Sequence, residues 1–388
     1  MASPAAPKPS GNALLLPSRW AFLRPTRRFR RQLILAGILS LIFVGAVALL
    51  SLAFGTIIIV YTLSGLVLSS TVMVAAIGLT LLYGIRGFAN FAYGDLMTLG
   101  AYMALLLGVI GVPFFWGAIA TFVILAIVGI LLEVLIFSHL EGRGPVPPIV
   151  ASVGLGLIIQ NGIRTLAGTA KFPYPFVPNL PNIQIVPGLG IHPIRQILTL
   201  AVGLILVFAA HILLKYTNLG KAMRATADNL ELAKATGIDT KRVTYAAWAV
   251  STSFASIAGV LLGVGSALSP TMGFEVLLLI FAAVIVGGIG SPYGAMLGAL
   301  MVGLSQEMSV PLLAWLERPD VIGLQFGTAY KVAIPFVILI LVLVFRPWGI
   351  AGRRPAFSRR AFVIERITRI LGERIPLGRS AEEGEGGQ

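Results

Sequence analysis

The sequence predicts an all-α fold: a polytopic transmembrane helix bundle of about ten spans, with both termini cytoplasmic. Three observations carry this. Of 388 residues, 57% are hydrophobic and only 11% charged, with a mean hydropathy of +0.93; a soluble domain carries about 25% charged residues. Too few charges exist to cover a water-facing surface, so much of the chain must face lipid. Apolar runs of about 20 residues, the length that crosses a bilayer, recur along the chain. Finally, 24 of the 29 Lys and Arg fall in alternate connecting segments, the bias that marks cytoplasmic loops.

The elements follow in order. Residues 1–32 are rich in Pro and Arg and hold seven basic residues. They form a basic cytoplasmic segment ahead of a first span at 33–54. That apolar run is longer than the core of a signal peptide, and another span follows at once, so it reads as a retained anchor. Further spans are expected at 57–83, 92–112, 114–137, 148–167, 195–214, 245–267, 274–291, 293–313 and 329–345. The inner segments are then 84–91, 138–147, 215–244, the turn near 291, and 346–388. The basic residues outside them are Arg164, Lys171, Arg195, Arg318 and Lys331. The positive charge is thus a topology signal, and a nucleic-acid footprint is not expected. The outer loop at 169–193 is too rich in Pro for a regular helix and reads as a lid or an external docking surface. In the tail, Val363, Ile364, Ile367, Ile370 and Leu371 recur at helical spacing among Arg359, Arg360, Arg366 and Arg369. This is the pattern of a basic amphipathic helix on the inner membrane surface, with a disordered end after it. The domain division is therefore 1–32, 33–54, a helix-bundle core at 55–352, and a tail at 353–388.

Chemistry is sparse. There is no cysteine, and His139, His192 and His211 have no metal-ligand spacing; no metal site and no catalytic constellation are expected. No GxxxxGK[ST] phosphate loop is present; Gly220-Lys221 is followed by Ala222.

The unusual inner segment is TNLGKAMRATADNLELAKATGID at Thr217–Asp239. It carries its own helix punctuation. Asn218 can cap a first short helix. Asp228 can cap a second, with Glu231 reaching back as in a capping box. Gly237 suits the left-handed position that ends a helix. Ala222, Met223, Ala225, Ala227, Ala233 and Ala235 give it a small-residue face. A solvated connector needs neither two capped helices nor such a face, so the segment reads as a docking element.

Two regions break their helices: LLYGIRGFANFAYGDL around Gly84, Gly87 and Gly94, and VIVGGIGSPYGAML around Gly287, Gly288, Gly290 and Gly294. Irregular backbone within a membrane survives only where protein or a water-filled cavity satisfies it, and transport sites use such breaks. Candidates for the translocation path are Tyr83, Gly84, Asn90, Phe91, Tyr93, Gly94, Asp95, Gln160, Asn161, Glu275, Gly287, Gly288 and Gly290. The alternative for the glycines is close helix packing. Acids within spans are Asp95, Glu133, Glu275 and Glu307; pairing of Asp95 with Arg86 is the simplest neutralisation.

The stretch GKAMRATADNLELAKATGI resembles the cytoplasmic coupling segment of permease subunits of bacterial ABC importers of the branched-chain amino acid group (LivH type). The same family is resembled by AIGLTLLYGIRGFANFAYGDLMTLGAYMA at Ala76–Ala104, VASVGLGLIIQNGIRTLAG at Val150–Gly168, FAAVIVGGIGSPYGAMLGALMVG at Phe281–Gly303, and the ending LVLVFRPWGI. The resemblance runs from about Ser64 to Gly352. It implies ATPase coupling through Gly220, Arg224, Ala225, Asp228, Gly237 and Ile238, together with Glu231. It implies two ABC ATPase subunits that bind the ATP and Mg, so that no cofactor sits in this chain. A second permease subunit, an external solute-binding protein and a location in the bacterial inner membrane, among lipid, are implied too. The family usually shows His and Glu where this chain has Tyr93 and Asp95. Branched-chain or other hydrophobic amino acids are the implied solutes, with urea and short amides as the alternative. A self-contained transporter driven by an ion gradient is the alternative of another class; it would make Asp95, Glu133 or Glu275 essential.

Overall fold

The computed structural model describes residues 55, 57–171, 174, 183–186, 189–191, 193–317 and 328–351. The chain divides into two compact units, Met1–Ile59 and Val60–Gln388. Of the first, only Gly55 and the opening residues of one helix are described. The expected basic segment 1–32, the anchor 33–54 and the tail 353–388 lie outside the described residues.

The helices are α1 (Ile57–Arg86), α2 (Tyr93–Val109), α3 (Phe114–Leu135), α4 (Val146–Ala167), α5 (Thr199–Tyr216), α6 (Asn218–Asp228), α7 (Leu230–Ala235), α8 (Thr240–Gly265), α9 (Met272–Gly287), α10 (Pro292–Leu316) and α11 (Ala333–Phe345). Among the described residues, six are long and apolar enough to cross a membrane, two of them extended by short flanking turns, and three further apolar helices are shorter. These nine match the expected spans from residue 57 onward. In the stretch expected to form the outer loop, strands β1 (Ile183–Val186) and β2 (Leu189–Ile191) form a short antiparallel hairpin.

The core of the second unit is built around α8. Its sequence mixes small polar and apolar residues, and 18 of its 26 residues are buried. In a lipid-facing bundle there is no hydrophobic difference between lipid and protein to drive association, so close backbone approach and interhelical hydrogen bonds must do it. α8 supplies both. Thr252 Oγ1 donates to Leu125 O (2.6 Å) and Ser253 Oγ to Phe122 O (2.9 Å), tying α8 to α3. A Cβ on Gly129 of α3 would strike Thr252, and one on Gly100 of α2 would come within 2.8 Å of Ser256 Cβ. A Cβ on Gly259 would collide with the backbone of Met97. Gly259→Val is therefore expected to block the docking of α2 on α8. Size-exclusion chromatography of the detergent-extracted chain should show loss of the monodisperse peak; a normal peak would contradict this packing.

α1 is held in the same manner. Ser69 Oγ donates to Leu300 O (3.2 Å) on α10, and Ser70 Oγ to Thr199 O (3.2 Å) on α5. Large apolar residues such as Leu131, Val153, Leu204, Phe208 and Leu341 remain exposed on the outside of the bundle, the distribution a lipid-facing surface requires. At one end, Tyr174 from the outer loop is buried, donates to Ala101 O, and meets Phe114 edge-on at 5.6 Å. This anchors the loop to α2 and α3.

Candidate functional site: the coupling end and the helix breaks

The polar segment folds as two capped helices with an elbow, each cap one residue from its expected place. Thr217, not Asn218, caps α6: its Oγ1 accepts from Gly220 N (3.0 Å). Asn229, not Asp228, caps α7: its Oδ1 accepts from Leu232 N (2.9 Å). Gly237 takes φ +83°, Ile238 N donates to Ala233 O (3.1 Å) and Gly237 N to Lys234 O (3.1 Å). This pair of bonds is the Schellman ending. Asp239 then caps α8 through Arg242 N (3.1 Å).

The small-residue face is divided. Met223 and Ala233 are buried; Met223 packs on Val243 and Ala247 of α8. That part of the face meets the bundle rather than a partner. Outward lie Lys221, Arg224, Ala227, Asp228, Glu231 and Lys234, and with them two large apolar side chains, Leu230 and Leu232. These leucines were not singled out in the sequence, where they look like ordinary helix-facing residues. A Cβ on Gly220 would meet Leu214 Cα at 2.6 Å and Leu214 O at 2.7 Å. Arg224 Nη1 donates to Leu214 O, in the last turn of α5, where carbonyls lack partners within the helix. The elbow is thereby fastened to α5 and α8 at several points.

The first break runs from Gly87 (φ +70°) to Ala92. Asn90 is fully buried, and its Oδ1 accepts from Ala92 N (3.1 Å); Phe91 N donates to Ser152 Oγ (3.0 Å) on α4. Phe88 stacks on Phe137 (5.3 Å), which lies 4.6 Å from the Trp248 ring of α8. Phe91 meets Phe281 of α9 at 5.0 Å. Arg86 does not pair with Asp95. Its guanidinium bridges Glu133 (3.1 Å) and Glu141 (3.2 Å) and donates to Phe137 O (2.8 Å). The chain leaves α1 at Arg86 and reverses before α2, which carries Asp95 away from Arg86. Asp95 is buried against Gly156 of α4, and its Oδ1 has no hydrogen-bond partner among the described residues.

The second break is the turn Gly288–Ser291, with Gly288 at φ +110° and Gly290 at +80°. The RPWGI ending folds onto it: Ile350 N donates to Val286 O (2.9 Å) and Ala351 N to Gly287 O (2.9 Å). These bonds satisfy carbonyls at the end of α9 that have no partner within the helix. A third break, Ser266–Thr271, precedes α9 and falls at the gap between the expected spans 245–267 and 274–291. Here α2 and α9 begin side by side. A Cβ on Gly94 would lie 2.5 Å from Gly273 O, and Thr98 Oγ1 accepts from Gly273 N (3.0 Å).

The path candidates therefore separate. Tyr83, Gly84 and Gly290 share one cavity with Arg224 and Asp228 of the elbow. Gly94 and Gly287 are close-contact positions, against Gly273 and Gly294. Tyr93 is buried, its hydroxyl donating to Ser251 O (3.3 Å). Gln160 is half-buried on α4 and Asn161 is exposed, bonded to Leu157 O (2.8 Å) and Arg164 (3.4 Å). Glu275 is exposed in the first turn of α9 and accepts from Thr271 (2.8 Å).

One end of the bundle thus collects the end of α1, the turns after α3 and α9, the elbow, and residue 351. These are the described parts of the segments that the charge count assigns to one side. A model of the family "Branched-chain amino acid transport system / permease component" matches residues 61–343. The chain belongs to this permease family. It is 30% identical over 305 residues to the high-affinity branched-chain amino acid transport system permease protein LivH of Escherichia coli, covering 75% of this chain and 94% of that one. It is 29% identical over 304 residues to BraD of Pseudomonas aeruginosa, with the same coverage. It is 30% identical over 299 residues to a probable LivH of Methanocaldococcus jannaschii, covering 74% and 90%. No solved structure matches the chain. As a permease with several lipid-length helices, it is a multi-pass membrane protein.

Proposed function

We propose that this permease is the transmembrane subunit of an ATP-binding-cassette importer for branched-chain and related hydrophobic amino acids. The α6–α7 elbow is the point where a separate ATPase engages it, and the end that bears the elbow faces the cytoplasm, as do both termini. Two ATPase subunits, a second permease subunit and an external solute-binding protein complete the assembly in the bacterial inner membrane. ATP and Mg belong to the ATPases.

The observation that carries this reading is the elbow itself: capped, pinned to two bundle helices, and exposing Leu230 and Leu232. A load applied to α6 acts on α5 through the Gly220 contact and the Arg224 bond, and on α8 through Met223. A loose loop would dissipate it. The names of the relatives support the solute class. The cavity between the elbow, α1 and the Gly288–Ser291 turn would change shape when the elbow moves, because its walls come from all three.

The test is co-purification of the ATPase with the chain, and ATP-driven uptake of leucine by the complex in proteoliposomes. Leu232→Asp places a charge on the exposed tip and should reduce ATPase retention by about tenfold or more, since a desolvated hot-spot side chain is worth 1.4 kcal/mol or more. Leucine uptake by the chain alone, driven by an ion gradient without ATP, would overturn the proposal. Uptake of urea in place of leucine would overturn the solute class alone.

A further inference from the structure

The geometry points to a binding site for an aliphatic α-amino acid, taken as its zwitterion, in a cavity at the end of the bundle remote from the elbow. The cavity has a volume of about 480 Å³ and lies between α1, the turn before α5, the end of α8, α10 and the turn before α11. That is within the range of small-molecule sites. Glu307, on its wall, lies about 22 Å along α10 from Pro292.

Four polar groups converge there. Lys331 Nζ sits 2.7 Å from Glu307 Oε1. Gln306 is 8% exposed, and its Oε1 is buried with no hydrogen-bond partner among the described residues; the same is true of Gln196 Oε1. Buried acceptors left unpaired are costly and rare, and two of them belong to side chains that line one cavity beside an ion pair. The pair uses one of three ammonium hydrogens and one of two carboxylate oxygens, leaving capacity of both signs. An α-amino acid carries its own opposite charges on adjacent atoms. Its ammonium suits Glu307 and, once either glutamine side chain turns inward, an amide oxygen, and its carboxylate suits Lys331. A zwitterion also adds no net charge to a neutral pair, whereas a simple cation or anion would leave a charge unmatched away from water. Leu68, Leu261 and Leu262 line the rest of the cavity and suit an aliphatic side chain.

This deepens the proposed function by naming where the cargo touches the permease, and it takes the solute class from that reading. Binding is measured on the purified full chain in lipid nanodiscs by equilibrium dialysis with labelled L-leucine, 4-methylpentanoate and 3-methylbutylamine. Leucine should bind, and each single-charge analogue at least tenfold more weakly. Glu307→Gln and Lys331→Met should each weaken leucine at least tenfold. Since both could loosen α11, Gln306→Leu is the decisive variant: it removes an unpaired buried acceptor, so thermal stability should hold or rise while leucine binding falls. Absence of leucine binding by the wild-type chain, equal binding of the analogues, or unchanged binding in Gln306→Leu would overturn the site. ATP-driven leucine uptake by a complex whose permease fails these tests would overturn the site and leave the proposed function standing. Leucine binding by a chain that never supports ATP-driven uptake would support the site and overturn that function.

Discussion

Arg86→Met is expected to destabilise the bundle by about 3–5 kcal/mol, the cost of leaving a buried charge without its partner. The side chains of Arg86 and Glu133 are 9% and 3% exposed. Glu133 sits in the last turns of α3, and Arg86 ends α1, so the pair joins two spans where the chain enters its first break. The same guanidinium holds Phe137 O, and the Phe137 ring is the middle of the aromatic column that reaches Trp248. Removing the cation strands the Glu133 carboxylate and frees that column together. Extraction of the variant should give little monodisperse protein and a clearly lowered unfolding midpoint. Arg86→Met combined with Glu133→Leu should recover much of the loss, because replacing a buried ion pair by apolar groups is often nearly neutral. Glu141→Gln should change stability by no more than about 1 kcal/mol, since that carboxylate is 55% exposed and solvent-screened pairs contribute little. A single variant as stable as the wild type, or a double variant worse than the single, would show that the pair does not hold this corner.

How much of this was legible beforehand depends on the range of the interaction. Apolar length and charge bias act locally, and they located the described spans and the elbow. The caps slipped by one residue because Thr217-Asn218 and Asp228-Asn229 each offer two competent side chains. The choice falls to backbone angles: Thr217 (φ −87°, ψ 154°) and Asn229 (φ −160°, ψ 106°) lie in the extended region a cap needs. The Arg86 partner was misread because Asp95 is near in sequence, while Glu133 arrives only through the packing of α3. The same holds for Gly94 and Gly287. A glycine beside a break looks alike in sequence whether it meets solute or another backbone, and only the facing Gly273 and Gly294 distinguish the two. The Glu307–Lys331 cavity joins five stretches of chain, and no local pattern foretells it.

Gly220→Leu is expected to abolish ATP-coupled uptake while the protein still inserts and folds. The contact at this position is with the backbone of Leu213 and Leu214, which cannot rotate aside as a side chain can. Relief must come from moving α6 off the end of α5, which also pulls Arg224 from Leu214 O. Overpacking of this kind costs about 1–3 kcal/mol, a drop of roughly five- to 150-fold in the docked elbow. The spans themselves are untouched, so membrane yield and the unfolding midpoint should stay near normal while leucine uptake falls about fivefold or more. Gly237 supplies the contrast. It ends α7 at φ +83° with open space around it, so the requirement there is conformational rather than steric. Asn tolerates left-handed geometry, and Gly237→Asn should transport nearly as well as the wild type, whereas Gly237→Pro cannot take a positive φ and should fail. Normal uptake by Gly220→Leu would mean that the elbow need not be seated on α5 to do its work, and the route from α6 into the bundle would then have to run through Met223 and α8 alone.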